Sequence, residues 1–220
     1  MPGGTILVLS IDEGGAIADG TRLDAVVDET PHCPAWSPDS TAVAFLDGSA
    51  LVILPLVGQA QRIDGWDLED TLDSSFYTDY PPDRSVQWSP DGSAIAVARA
   101  SGTWLIPVDG GAPVRLHDTP AFSVSWSPDA TRLVVGAGEP GAVVIQVSDG
   151  SMLAELPSRF SPAVWSPVDD RIAFSDTDAG LVVVPPDGGD GIMIDTYGYN
   201  PTWSPDGQHL IYMQDTGSTS

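Results

Sequence analysis

Short apolar runs separated by turn residues recur along the whole chain. Residues 93–99, 103–108 and 132–137 are typical, since each is rich in Ala, Val, Ile or Leu and is bounded by Gly, Pro, Asp or Ser. Runs of this length and composition predict β-strands, and their nearly continuous apolar character indicates strands covered on both faces. No amphipathic helical pattern of useful length is present. The pattern therefore predicts an all-β fold.

A phrase repeated five times divides these runs into units. It reads Trp-Ser-Pro, in four copies followed at once by Asp, and it begins at Trp36, Trp88, Trp126, Trp165 and Trp203. The successive Trp residues are 52, 38, 39 and 38 positions apart. A period of about 40 residues made of short strands is typical of a β-propeller. We expect the five Trp residues to be structural, with their rings buried in the core.

The phrase has the composition of a tight turn. Pro presets φ, Asp can accept hydrogen bonds from turn amides, and Gly follows in two copies. The Gly position holds Ser40, Ala130 and Asp169 in the other three copies. Either a positive φ is not required there, or each of these residues costs about 1 kcal/mol.

A second mark, a Gly-containing hairpin signal, lies between successive phrases at residues 109–111, 149–150 and 187–189, with Gly58 alone in the first copy. Such signals join antiparallel strands, so each unit is predicted to hold four of them. The predicted strands are residues 85–88, 93–99, 103–108 and 113–117 in the second copy, 132–137, 142–147 and 152–156 in the third, and 171–175, 180–184 and 191–195 in the fourth.

The two ends of the chain complement each other. Only one further run, residues 209–213, follows Trp203, whereas residues 5–11 and 21–27 precede the first phrase. We expect a single domain, residues 1–220, forming a five-bladed β-propeller of four-stranded antiparallel blades. The blades are predicted at residues 33–65, 84–118, 122–157, 161–196, and 199–215 plus 3–30. The last blade would be closed by the N-terminal strands in a 2+2 arrangement, which removes open sheet edges.

Residues 65–83 are an acidic and aromatic insertion between the first two blades. Propeller topology places it near the mouth of the central channel, on the face opposite the Ser-Pro-Asp turns. Its carboxylates offer oxygen ligands for calcium at Asp67, Glu69, Asp70 and Asp73. A solvated acidic loop is the alternative, because the spacing of a helix–loop–helix calcium site is missing. No other cofactor is expected.

Charge narrows the classes of partner. The chain carries 31 acidic residues against eight basic ones, all Arg, for a net charge of −23. Such a field repels nucleic acid and anionic lipid. It is compatible with a solvated acidic surface, with adaptation to high salt, or with a cationic protein partner.

The sequence gives fewer indications of the cellular compartment and the oligomeric state. The single Cys33 excludes an intramolecular disulfide. No membrane span or secretory leader is evident, so a soluble, cytoplasmic monomer is expected, or a periplasmic or extracellular domain if the chain is processed.

The repeated phrase carries a family resemblance. Trp-Ser-Pro-Asp-Gly followed by an apolar strand, as at residues 88–92 and 203–207, resembles the WD40-like repeats of the TolB family. Similar repeats form the propeller portions of prolyl-oligopeptidase-like hydrolases. The resemblance spans nearly the whole chain and implies a propeller, which hosts many functions.

Catalytic motifs are absent from the sequence. There is no Gly-x-Ser-x-Gly nucleophile elbow, no zinc-type Cys or His spacing and no phosphate-binding Gly loop. His32, His117 and His209 fall in different predicted blades. The chain is therefore not expected to be an enzyme.

A binding site is predicted where the blades differ from one another. The positions four residues before each repeat Trp should start the innermost strands at one mouth of the channel. They are His32, Arg84, Phe122, Ser161 and Tyr199, with Trp66, Tyr77 and Tyr80 contributed by the insertion. Plain loop variation is the alternative.

Two functions follow. The first is a non-catalytic scaffold that binds a protein, peptide or other ligand through the mouth. The second is the substrate-gating propeller of a prolyl-oligopeptidase-like serine hydrolase whose catalytic domain is not in this sequence. A Gly-x-Ser-x-Gly motif beyond residue 220 of the gene would favour the second.

Overall fold

The computed structural model describes residues 6–11, 17–23, 31–66, 85–137, 141–158, 162–176 and 178–214. Within these ranges every regular element is a β-strand and every pairing of strands is antiparallel. The chain forms two compact units, Met1–Thr71 and Leu72–Ser220, and each is described by itself. The prediction of an all-β fold is confirmed.

The first unit holds a hairpin and a four-stranded sheet. The hairpin pairs β1 (Ile6–Ile11) with β2 (Ile17–Leu23). The sheet has the order β3 (Pro31–Trp36), β4 (Ala42–Asp47), β5 (Ala50–Pro55) and β6 (Gln61–Ile63). Its two central strands are buried along their length, as expected for a sheet covered on both faces. Ile6 and Val8 of β1 pack against the buried cluster around Phe45.

The second unit holds three four-stranded sheets and one hairpin, each in chain order. The first sheet comprises β7 (Val86–Trp88), β8 (Ala94–Arg99), β9 (Gly102–Pro107) and β10 (Val114–His117). The second comprises β11 (Ala121–Trp126), β12 (Arg132–Ala137), β13 (Ala142–Gln146) and β14 (Met152–Leu156). The third comprises β15 (Val164–Trp165), β16 (Ile172–Asp176), β17 (Gly180–Val184) and β18 (Ile192–Asp195). The hairpin pairs β19 (Gly198–Trp203) with β20 (Leu210–Gln214).

Neighbouring sheets of the second unit pack face to face. The first strand of each sheet lies against the preceding sheet, and β7, β11, β15 and β19 contact one another in succession. The first strands are therefore the inner strands of this unit. Two apolar clusters fill the interfaces, one around Trp126 and Ile145 and the other around Trp165 and Phe174.

Two kinds of contact recur between successive sheets of this unit. The indole N–H of Trp126 donates to the Gln87 carbonyl at 3.1 Å, and that of Trp203 donates to the Val164 carbonyl at 3.2 Å. The guanidinium of Arg132 lies 5.0 Å from the centre of the Trp165 ring. Arg171 lies 4.8 Å from the centre of the Trp203 ring, so each Arg stacks on the Trp of the following sheet.

The strand predictions agree with these elements to within one or two residues, with one exception. Residues 132–137, 152–156 and 180–184 coincide with β12, β14 and β17. The strand predicted at residues 21–27 overlaps β2 at residues 21–23, but β2 begins earlier, at Ile17, and pairs through Gly20 with Leu9; residues 24–27 lie outside the described ranges. Gly disfavours strands, but here the pairing continues past it.

The repeat Trp residues are buried to different extents, depending on whether a preceding sheet packs against the ring. Trp126 and Trp165 are buried, and Trp88 and Trp203 are half-buried. Trp36 is 51% exposed, which corrects the expectation that all five rings lie in the core. The rings of Trp126 and Trp203 pack on the sheet that carries the preceding copy of the phrase. Trp36 belongs to the first copy, so unit 1 holds no preceding copy for it.

Closure of a fifth blade stays a prediction. The structure has a two-stranded sheet at each end of the chain, β1–β2 and β19–β20, which is the number of strands that a 2+2 blade requires. The predicted blade joins two units that are described separately. The single domain and the count of five blades likewise stay predictions.

Candidate functional site

Each sheet has a turn end, where the Ser-Pro-Asp phrase joins its first two strands. In the second copy the Ser89 hydroxyl donates to Asp91 Oδ1 at 2.6 Å and accepts the Ala94 amide at 3.0 Å. Asp91 Oδ1 also accepts the amide and hydroxyl of Ser93 at 3.0 and 2.8 Å. The Ser hydroxyl is therefore the centre of the turn, a role that the sequence pattern did not indicate.

The same network recurs in three other copies. It is centred on Ser37, Ser127 and Ser204, which donate to Asp39, Asp129 and Asp206 at 2.7, 2.6 and 2.5 Å. In all four copies the Ser hydroxyl is the largest cause that lowers the pKa of the Asp carboxyl below its ordinary value of 3.8. These carboxylates serve the turn, in agreement with the interpretation of Asp as a capping residue.

The fourth copy departs from the pattern because its Asp comes one position later. Asp169 forms an ion pair with Arg171 at 2.7 Å, and this partner lowers the pKa of the Asp169 carboxyl. Arg171 also donates to the Gly207 carbonyl of the next copy at 3.0 Å. The variant turn thus connects two sheets of the second unit.

Backbone conformation settles the alternatives for the Gly position of the phrase. Gly92 and Gly207 have φ of 74° and 66°, and Ser40 and Ala130 adopt 60° and 58°. Asp169 does not share this positive φ. The conformation is therefore dispensable in the fourth copy, whereas Ser40 and Ala130 occupy it at a steric cost.

The opposite end of each sheet, where the inner strand begins, is called here the mouth end. Its backbone is irregular. The register slips between Ala121 and Ser123 in β11, and between Tyr199 and Thr202 in β19. The equivalent strand of the first unit, β3, slips between His32 and Ala35. Such bulges redirect side chains and are frequent beside functional sites.

Two non-Gly residues in these bulges have a positive φ. Cys33 of the first unit has φ of 54° and Asn200 of the second has 52°. Asn tolerates this region better than other residues do, whereas Cys pays a cost of about 1–2 kcal/mol. Both lie three positions before the repeat Trp, and both precede a Pro. Backbone strain of this kind is concentrated at functional sites.

The second unit contributes four described residues to its mouth end, called here the rim residues: Phe122, Ser123, Tyr199 and Asn200. Phe122 and Tyr199 are half-buried, so part of each aromatic ring reaches the surface. Ser123 Oγ is buried and, among the described residues, has no hydrogen-bond partner. A Cβ at Gly136 on the paired strand would overlap Ser123 Oγ, so this Gly makes room for the bulge.

Hydrogen bonds hold the start of β19 in place. Ser175 Oγ donates to the Gly198 carbonyl at 3.1 Å. Asp195 accepts the Tyr197 amide at 2.8 Å and the Gln214 side-chain amide at 2.8 Å. The Tyr197 amide is the largest cause of the lowered pKa of Asp195. Tyr199 therefore extends from a fixed turn.

The other predicted site residues are distributed unevenly. His32 lies at the mouth end of the first unit and is exposed. Arg84, Ser161, Tyr77 and Tyr80 lie outside the described residues, as do the four carboxylates predicted for calcium, so these assignments stay predictions. Sequence reasoning missed Ser123, Cys33 and Asn200, although Pro after Cys33 and Asn200 is a signal of irregular strand backbone.

Trp66 does not lie where a ligand could stack on it. Its ring is 8% exposed, and its indole N–H donates to the Ile63 carbonyl at 3.0 Å. Ile63 ends β6, the outermost strand of its sheet. Trp66 therefore covers the end of that strand, and its assignment to the binding surface is corrected.

Two features are absent from the described ranges. These ranges contain no cluster of three or more His, Cys, Asp or Glu side chains suited to a metal ion. They also contain no helix with the length and apolar character needed to cross a membrane.

Comparison with known proteins gives the fold. No protein-family model matches the chain. WD repeat-containing protein 1 of Mus musculus and that of Rattus norvegicus are each 34% identical to it over 160 residues, covering 66% of this chain. The chain spans 23% of the length of these relatives.

Two solved structures are similar over most of the chain. A protein of Agrobacterium tumefaciens assigned as TolB has a TM-score of 0.62 and 22% identity, covering 88% of this chain and 73% of its own. The C-terminal WD40 domain of Sif2 has a TM-score of 0.62 and 16% identity, covering 84% of this chain and 55% of its own. The repeated four-stranded antiparallel sheets, the repeat phrase and these similarities show that the chain has the β-propeller fold of TolB-like and WD40-like repeat proteins.

Proposed function

We propose that the chain is a non-catalytic scaffold that binds a protein or peptide partner at its mouth end. The observation that carries this proposal is the contrast between the two ends of the sheets. Four copies repeat one Ser–Asp network at the turn end. At the mouth end the side chains differ from copy to copy, and the register slips at one position in β11 and at a different position, common to both, in β3 and β19. A scaffold repeats its structural positions, and a binding site is built from the positions that vary.

The rim residues have the chemistry of a protein contact. Phe122 and Tyr199 combine a large apolar area with few rotatable bonds, and aromatic residues of this kind are common energetic centres of protein interfaces. Asn200 adds hydrogen-bonding groups beside them. The fixed turn before β19 reduces the entropy that would be lost when Tyr199 is ordered by a partner.

The charge of the chain favours a basic partner. With a net charge of −23, an acidic or phosphate-bearing partner would be repelled, whereas a cationic one would be attracted over the Debye length. The proposal therefore includes association that weakens as ionic strength rises. WD repeat proteins and TolB supply the fold on which the proposal rests, and the partner is inferred from this chain's own residues.

A peptide array tests the proposal. The purified chain is applied to an array of basic and acidic peptides, beside Phe122→Ala, Tyr199→Ala and the double variant. Val168→Ala serves as control, because Val168 is 51% exposed and follows the phrase at the turn end. We expect the double variant to lose at least tenfold in affinity for the selected peptides and the control to lose less than twofold. Selected peptides whose affinity is the same for the double variant and the control would contradict the proposal.

A further inference from the structure

A groove lies in the second unit between β14 and the sheet formed by β15–β18, and none of the rim residues lines it. It encloses a cavity of about 300 Å³. Its lining residues are Leu156, Pro157, Phe174, Asp176, Ala179, Val182, Val184, Gly188, Gly189, Gly191 and Met193. The lining is apolar except for Asp176 and the peptide groups of the glycines. This volume is at the lower end of the range for ligand pockets, so the groove suits one or two side chains rather than a large cofactor.

The strand beside the groove is unusually apolar for an outermost strand. Ile192, Met193 and Ile194 of β18 are 68%, 59% and 44% exposed. The outermost strands β6 and β10 carry Arg62 and Arg115 instead. The outermost strand β14 exposes two apolar residues, Met152 and Leu153, and carries Glu155. Three exposed apolar residues in a row on one outer strand form a patch of the kind that marks an interaction surface.

The same strand has an edge open to pairing. Among the described residues β18 pairs with β17 only, through Met193 opposite Val182 and Ile192 opposite Val183. Met193 is on the face that lines the groove, together with Val182. An edge strand without a charged residue or Pro in its centre is a template for an added strand. A strand added there would direct alternate side chains toward the groove.

Charge indicates what kind of strand fits. Asp178, Asp187 and Asp190 lie in turns or bends and each directly adjoins a lining residue in the sequence, and all three are exposed. Within the lining, Asp176 Oδ1 accepts the amides of Asp178 and Ala179, both at 2.8 Å, and its second oxygen has no hydrogen bond among the described residues.

Within the described ranges no ion pair joins a basic side chain to these carboxylates, and Arg159, two positions after Pro157, lies outside those ranges. The sequence contains no Lys, and Arg171 at the far end of β16 is already paired with Asp169. An acidic segment would be repelled here, and a basic one attracted.

We propose that this groove binds an extended basic peptide segment, which pairs with the edge of β18 and places one aliphatic side chain in the cavity. Arg or Lys residues on either side of that aliphatic residue would lie beside Asp176 and the adjoining carboxylates. The groove shares no residue with the rim residues, so a partner could engage both through two segments, and either site can fail without the other.

The test uses a fluorescein-labelled eight-residue peptide with a central Leu and Arg at alternate positions on both sides. Fluorescence anisotropy measures its affinity at 50 mM and 500 mM NaCl. Three matched peptides replace Leu with Ser, replace every Arg with Glu, or methylate alternate backbone amides. We expect each replacement to weaken binding at least tenfold, and the higher salt to weaken it by a similar factor. The methylated peptide tests strand pairing, because it retains every side chain and loses the amide donors.

Variants of the protein locate the site. Met193→Arg fills the groove with a cation and should weaken binding at least tenfold. Met213→Arg on β20 is the matched control, since Met213 is also exposed, at 57%, and does not line the groove. Asp176→Asn should weaken binding and reduce its salt dependence, whereas Tyr199→Ala should leave it unchanged.

Three results would overturn the proposal. The first is no binding of the Leu peptide at about 1 mM. The second is an equal loss of affinity in Met193→Arg and Met213→Arg, and the third is equal binding of the methylated and unmethylated peptides. Sedimentation that shows a dimer dissolved by Met193→Arg would also overturn it, because a second copy of the chain would then occupy the groove.

Discussion

Replacing Ser89 with Ala tests whether the buried hydroxyl, rather than the visible Trp-Ser-Pro-Asp-Gly pattern, stabilises the turn. Ser89 is 1% exposed, and its Oγ is the acceptor for the buried amide of Ala94 at 3.0 Å. In Ser89→Ala the Ala94 amide loses its acceptor while it stays buried, and an unsatisfied buried amide costs about 1–3 kcal/mol. Asp91 loses one donor but keeps the amide and hydroxyl of Ser93. We expect a total loss of about 2–3 kcal/mol in the free energy of unfolding.

The last copy of the phrase provides a matched control with the same five residues. Ser204 donates to Asp206 at 2.5 Å and accepts the His209 amide at 2.9 Å, but both contacts are exposed. In Ser204→Ala, water can replace the lost hydroxyl, so we expect a loss of about 1 kcal/mol or less.

The measurement is urea unfolding of both variants and the parent chain. A change in midpoint without a change in slope reports stability alone. For a chain of this size the expected losses correspond to a decrease in Tm of about 4–12 °C for Ser89→Ala and at most about 4 °C for Ser204→Ala. Equal shifts in the two variants would refute the reasoning, because hydrogen-bond number rather than burial would then decide the cost.

Three further predictions follow from the same features. Ala130→Gly should raise stability by about 0.5–1 kcal/mol and Gly92→Ala should lower it by about 1 kcal/mol, since both positions have a positive φ; thermal unfolding checks the opposite signs, and two changes of the same sign would contradict them. Because the folded pKa of the turn carboxyls, such as Asp129, is below 3.8, their contribution to stability is present above about pH 4 and is lost as the pH falls through the folded pKa. In a series of urea unfolding curves between pH 7 and pH 2, the midpoint should therefore decrease below about pH 4. A midpoint that stays constant down to pH 2 would be inconsistent with this reasoning. Trp165→Ala should cost about 3–5 kcal/mol and Trp36→Ala about 1 kcal/mol or less, as their exposed fractions are 4% and 51%; chemical unfolding that gives the reverse order would disprove this reading of the core.

The local chemistry of the chain was enough to predict the strands. Apolar runs, Asp-Gly hairpins and the Ser-Pro-Asp turn act over a few residues, and they placed β12, β14 and β17 at the residues where the structure has them. The misplaced start of β2 illustrates the limit of this approach. The first residue of β2 depends on pairing with β1, which continues through Gly20, and no local pattern of residues 17–20 indicated that pairing.

The candidate site was predictable in outline and not in detail. Counting back from each Trp identified Phe122 and Tyr199 at the start of inner strands. It did not identify the bulges that orient them or the unpartnered Ser123 Oγ, because a register slip depends on the partner strand. The groove beside β18 was not predictable at all, since its walls come from two sheets.

The sequence by itself determined that this protein is made of repeated short strands joined by one kind of turn, because period and turn composition are written in neighbouring residues. Only the tertiary structure decided which of those repeated residues are buried. Trp165 lies in an apolar interface while Trp36 is half exposed, although each belongs to the same phrase. Burial depends on what packs against a residue from about 40 positions away, and that information is held by the neighbouring sheet rather than by the phrase itself.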